Sequence, residues 1–146
     1  ADLEQADEVK GLGRPAVTFA RRELARTRKE LLEEKRPLKQ LPPEDLHTLR
    51  KRGKKARYAT EFFRSLFEPV AAAHYIQALE ELQDRLGETN DAGVAPPLML
   101  TLRPGRLPAG VLDAVQGWSQ ARITDRLDAA QVPWRRIRRQ RDPKLR

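Results

Sequence analysis

From Val17 onward the inward-facing positions step by three and four residues through Ala20, Leu24, Thr27 and Leu31, the spacing that lines one face of an α-helix. The pattern predicts a long amphipathic helix over residues 15 to about 35. Pro15 fits its opening turn, where a missing N–H costs nothing, and "KRPLKQLPP" ends it. A second helix starts at Pro43, with Glu44 and Asp45 suited to a positive N-terminus. Leu49, Gly53, Ala56, Thr60, Phe63 and Phe67 mark its inner face. A third covers residues 69 to 86, turning Val70, Ala73, Ile76, Leu79, Leu82 and Leu86 inward, with Gly87 as its C-terminal cap. A fourth, interrupted at Pro96 and Pro97, takes part of residues 90 to 102, and a last runs over about 109 to 130, before Pro133. No stretch alternates as a β-strand would, and no internal repeat is evident. The expected fold is all-α, an antiparallel helical bundle of four to five helices.

Length and charge narrow the picture. A chain of 146 residues with 39% hydrophobic content can bury one core, so a single bundle over residues 15–132 is expected, between an N-terminal extension (1–14) and a basic tail (133–146). The tail has seven cations and one acid from Arg135 to Arg146 and reads as a disordered or loosely docked arm. With 29 Lys and Arg against 21 Asp and Glu, the formal charge is +8, which favours polyanionic partners. The absence of cysteine excludes disulfides and thiolate chemistry. The N-terminal residues carry no basic-then-apolar leader, and no apolar run reaches the length of a membrane span. A soluble, cytoplasmic protein is expected.

The charge is also sorted. "HTLRKRGKKARY", residues 47 to 58, holds six lysines and arginines and no acid. At about 100° per residue, His47, Arg50, Lys51, Lys54, Arg57, Tyr58 and Glu61 share one stripe, opposite Leu49 and Ala56. Arg52 falls near the apolar face and must snorkel. Solvated helix faces usually mix signs, whereas like charges three and four apart repel by a few tenths of a kcal/mol per pair, so a bridging anion explains the stripe better than solvation alone. On the first helix Arg14, Arg21 and Arg28 recur every seven residues on the side of Val17, Leu24 and Leu32, and would line a groove beside a neighbouring helix. Arg22, Arg26 and Lys29 stand among Glu23, Glu30 and Glu33 and read as a charge-balanced surface.

Catalytic patterns are missing. There is no P-loop around Gly53-Lys54 and no H-E-x-x-H pair, and His47 and His74 lie on different helices without a recognisable triad. "LQDRLGETND" reads as caps and interhelical hydrogen bonds rather than metal ligands. The expectation is a binding protein, not an enzyme, with no metal and no cofactor.

"LHTLRKRGKKARYATEFF" followed by "ALEELQDRLGETNDAGVA" resembles the CHAD family, the conserved histidine α-helical domains. His47, Arg50, Lys54, Arg57 and Tyr58 match its first motif, and Leu82, Gln83, Leu86, Gly87 and Asp91 its second. The resemblance implies an all-helical, non-catalytic domain that binds inorganic polyphosphate through a basic groove and associates with polyphosphate granules. Full domains of that family are about twice this length, two similar bundles facing one another. The chain resembles the second half, over about residues 15 to 130, so either a second copy supplies the facing half, as a homodimer across a shared groove, or the sequence is a fragment of a longer domain. Arg14, Arg21, Arg28, His47, Arg50, Lys51, Lys54, Arg57 and Tyr58 are the expected polyphosphate ligands. Two other partners are weighed. A nucleic-acid-binding role is less favoured, since the stripe has no Asn or Gln for base readout and Tyr58 alone offers a stacking face. A structural module for acidic protein partners is the third reading.

Overall fold

The computed structural model describes the backbone of residues 2–102 and 107–141 and the side chains of residues 15–101 and 107–141. Four α-helices follow one another: α1 (Asp2–Leu32), α2 (Pro43–Phe62), α3 (Pro69–Leu102) and α4 (Val111–Arg139), with short 3-10 turns at Leu38–Gln40 and Arg64–Leu66. Among the described residues there is no strand, and the chain is an all-α bundle. Each helix packs antiparallel to the next. Arg52 and Lys55 of α2 reach Glu30 of α1, Arg50 and Arg57 reach Gln83 and Glu80 of α3, and Ser119, Arg126 and Arg136 of α4 meet Ala92, Glu88 and Glu81 of α3.

The core follows the periodicity. Leu31, Leu49, Ala56, Leu79, Leu82 and Leu86 are buried in one cluster with Leu38, Leu46, Tyr75, Leu127, Trp134 and Ile137. Ala20, Leu24, Phe67 and Ala72 form a smaller one beside it, against which Phe63 packs. Thr27 and Thr60 are buried without penalty because each hydroxyl donates to a carbonyl three or four residues back in its own helix.

Several expected boundaries are wrong, and at Gly87 and Pro133 packing outweighs a local breaker. Pro15 lies inside α1, not in its first turn. Gly87 is no cap: α3 passes through it, so the expected third and fourth helices are one, with Pro96 and Pro97 inside its C-terminal end. The last helix does not stop before Pro133 but carries it, buried, to Arg139. The supposed arm therefore begins as core, because Trp134 and Ile137 fill the space between α3 and the turn after α1; residues 142–146 lie outside the described residues. Phe63 and Phe67 stand beyond the end of α2, and Val70 is exposed rather than inward. Gly110 precedes α4 with φ +81°, a left-handed conformation suited to glycine.

Candidate polyanion-binding site

α2 presents two faces of opposite character. Toward α1 its cations are neutralised. Arg52 donates to the Glu30 carbonyl at 2.9 Å and pairs with Glu33 at 3.2 Å, so it does snorkel to the bundle edge. Lys55 pairs with the Glu30 carboxylate at 3.0 Å. On α1, Arg26 is clasped between Glu23 at 2.6 Å and Glu30 at 2.5 Å. Hydrogen bonding to Arg26 holds the Glu23 carboxyl below its ordinary value, and Lys55, then Arg26, do the same for Glu30.

The outer face is different. His47, Arg50, Lys51, Lys54 and Tyr58 are exposed along it. Among the described residues, no carboxylate lies within ion-pair distance of His47, Arg50, Lys51 or Lys54. Arg57 is the deepest of the cations, 3.6 Å from both Glu61 and Glu80. Tyr58 organises the middle of the row, its ring centre 5.5 Å from Lys54 Nζ and 5.0 Å from the Arg57 guanidinium. Cations drawn to a ring face at these distances are steered without losing their charge.

Arg50 explains why two separated motifs occur together. Its side chain crosses from α2 onto α3, where Nε makes a long donation, 3.4 Å, to the Gln83 carbonyl. A Cβ at Gly87 would sit 3.5 Å from Arg50 Nε and 3.6 Å from Nη2. Glycine at 87 thus provides the floor on which the guanidinium lies, and a side chain longer than that of alanine would lift it. One turn along, a Cβ at Gly53 would meet the Gln83 side chain in ordinary contact, 3.8 Å from its Cγ. The two motifs form one helix crossing.

Among the α1 arginines, Arg28 is held at a helix junction. It donates to the Gln140 carbonyl and lies 5.5 Å over the Tyr75 ring, where α1, α3 and α4 meet. Arg21 is exposed on α1. The backbone of Arg14 is helical, and its side chain lies outside the described residues. Arg50 and Arg57 instead contact the Glu80–Gly87 stretch of α3.

A cleft of about 640 Å³ opens at the N-terminal end of the row, where His47 and Arg50 meet Leu86, Asn90, Ile123 and Leu127. Phe62, at the other end, is 81% exposed. Sequence reasoning missed it as a stripe neighbour, although its spacing of four from Tyr58 was the available signal. Among the described residues no group of three or more His, Asp or Glu is placed to hold a metal ion. None of the helices described is long and apolar enough to cross a membrane.

The family model for the CHAD domain matches residues 1–99. The chain belongs to the CHAD family. The match takes in the whole helix crossing and reaches into α1 ahead of Pro15, but stops within α3, so it begins and ends earlier than the expected extent of about residues 15 to 130. No curated protein and no solved structure matches the chain. CHAD domains in general bind inorganic polyphosphate and are binding modules rather than catalysts.

Proposed function

We propose that this CHAD domain binds inorganic polyphosphate along the outer face of α2, without catalysis. The observation that carries the reading is the contrast within α2: its inner cations are matched by Glu30 and Glu33, while His47, Arg50, Lys51 and Lys54 face solvent as a row. A linear anion with about one charge per unit has no base edges to read, so a row of charge-assisted donors is sufficient recognition. Arg50 and Arg57 are the anchored donors, one on Gly87 and one between Glu61 and Glu80. Lys51 and Lys54 are the adjustable ones. Arg14, Arg21 and Arg28 extend the site only if the chain of phosphates wraps across α1.

A second copy would supply the facing half of the groove. α4 offers apolar surface for such pairing at Trp118, 54% exposed, with half-buried Val111, Leu112 and Val115; Trp134 belongs to the core. The proposed setting is the cytoplasm, at polyphosphate granules. Competition among tripolyphosphate, long-chain polyphosphate and duplex DNA at fixed near-physiological salt tests the ligand. Polyphosphate should win per unit charge. Equal competition would reduce the stripe to a general counterion-release surface. Sedimentation with and without polyphosphate tests the pairing, and a monomer in both conditions would exclude it.

A further inference from the structure

The row on α2 does not end in charge. Phe62 closes the helix one turn beyond Tyr58 and, at about 100° per residue, lies only about 40° around from Tyr58 and about 20° from Lys51. Its ring is exposed yet held in place. Phe63 meets it edge-on, centroids 4.8 Å apart at 85°, and Phe63 in turn meets Phe19 at 5.9 Å and 69°. Beside it opens a hollow of about 510 Å³ lined by Glu61, Phe62, Arg64, Ser65 and Pro69. Phosphate groups gain nothing from an apolar ring. Tyr58 already has Lys54 and Arg57 drawn to its ring, which leaves Phe62 as the ring open for stacking.

We infer that this end of the stripe accepts a nucleobase, so that the site takes a phosphate chain carrying a base as well as bare polyphosphate. The inference rests on the reading of the stripe as a phosphate site. Lys54 and Phe62 are eight residues apart, about 12 Å along the helix, a span that a ribose and a short run of phosphates can cover. Stacking on an exposed aromatic beside cations is the usual way a base is held without sequence readout. The lining of the hollow suits a base edge: Glu61 can accept from a base amino group, and Arg64 and Ser65 can donate to ring nitrogens or carbonyls.

Equilibrium binding of ATP, inorganic tripolyphosphate and a short oligothymidylate, at one near-physiological salt, tests this on the full chain and on Phe62→Ala. ATP should bind about tenfold tighter than tripolyphosphate, within the range that base stacking provides. Phe62→Ala should bring ATP down to the tripolyphosphate level and leave tripolyphosphate unchanged, which also shows that the variant is folded. A Phe62-dependent gain for the oligonucleotide as well would place the base on a polymer; a gain for ATP alone would place it on a free nucleotide. ATP binding no tighter than tripolyphosphate, or indifferent to Phe62→Ala, would overturn the inference and leave the stripe reading intact. Failure of tripolyphosphate to bind the parent chain would instead remove the stripe reading and this inference with it. Loss of self-association in Phe62→Ala, with nucleotide binding unchanged, would assign the ring to contact between copies.

Discussion

The two faces of α2 use the same residue types for different ends. Arg52 and Lys55 are tied to Glu30 and Glu33 of α1, whereas Lys51 and Lys54, one residue earlier in each case, face water. Composition cannot separate these pairs. What separates them is a 100° rotation and the identity of the neighbouring helix. Surface ion pairs contribute at most about 1 kcal/mol each, so the inner pairs matter less for stability than for removing those cations from the pool that an anion can use. Arg50, Lys51 and Lys54 keep their charge, and Arg50 and Lys54 are steadied by groups that do not neutralise them, a glycine floor, a backbone carbonyl and a tyrosine ring. Arg57, by contrast, has Glu61 and Glu80 at 3.6 Å.

The largest effect expected from breaking this contrast is on binding. Replacing Arg50, Lys54 and Arg57 together with alanine should cost about 1.5–3 kcal/mol for each charge-assisted hydrogen bond to phosphate that is removed, about a thousandfold or more in polyphosphate affinity, with helicity retained. The matching triple, Arg22, Arg26 and Lys29, should cost less than about tenfold, the residue of long-range attraction. Similar losses from both triples in a fluorescence titration would show that total charge, not its placement, governs affinity.

A smaller change should follow from lifting one anchor without removing charge. Gly87→Leu should displace the Arg50 guanidinium from α3 and weaken polyphosphate binding by about 1 kcal/mol, close to the range for one hydrogen bond to a charged group. Gly87→Ala should be nearly silent, since its Cβ would be in ordinary contact with Arg50 at 3.5 Å. The opposite manipulation sharpens the comparison further. Neutralising Glu23, Glu30 and Glu33 as glutamines removes the carboxylate partners of Arg26, Arg52 and Lys55, and should raise affinity severalfold while shifting unfolding by at most about 1 kcal/mol per pair removed.

The weakest expected signal is in acid. Arg36 holds the Glu34 carboxyl down to about 2, against an ordinary 4.5, through hydrogen bonds from its side chain and backbone. A depressed carboxyl stabilises the fold above its unfolded value and loses that contribution as pH falls toward its folded one. The stability advantage of the parent over Glu34→Gln should therefore be full above pH 4.5 and fade as pH approaches 2. Arg36 is half exposed, so the advantage should be only a few tenths of a kcal/mol. Urea unfolding across this range measures it.

Periodicity made the inner faces of α1 and α2 and the stripe itself readable, because a helix of known pitch turns spacing into direction. It failed at Gly87, Pro96, Pro97 and Pro133. Those residues are breakers by local propensity, but α3 and α4 pack along one another through Ala92, Glu88 and Glu81, and tertiary contact there outweighs the local cost. The tail was misread for a related reason. Its charge was conspicuous, while Trp134 and Ile137, spaced three apart, carried the core signal. For the α1 arginines the seven-residue repeat fixes a face but not the neighbour that face meets. Arg28 meets Tyr75 and Gln140, a junction that only the three-dimensional packing reveals.

The central claim is that anion binding distinguishes the outer face of α2 from the inner one, and residue-resolved NMR during titration with long-chain polyphosphate tests it most directly. The account predicts that side-chain and backbone signals of His47, Arg50, Lys51, Lys54, Arg57 and Tyr58 shift early and saturate together, while Arg26, Arg52 and Lys55 stay where they were. Equal shifts on both faces, or shifts confined to α1 and the end of α4, would contradict it.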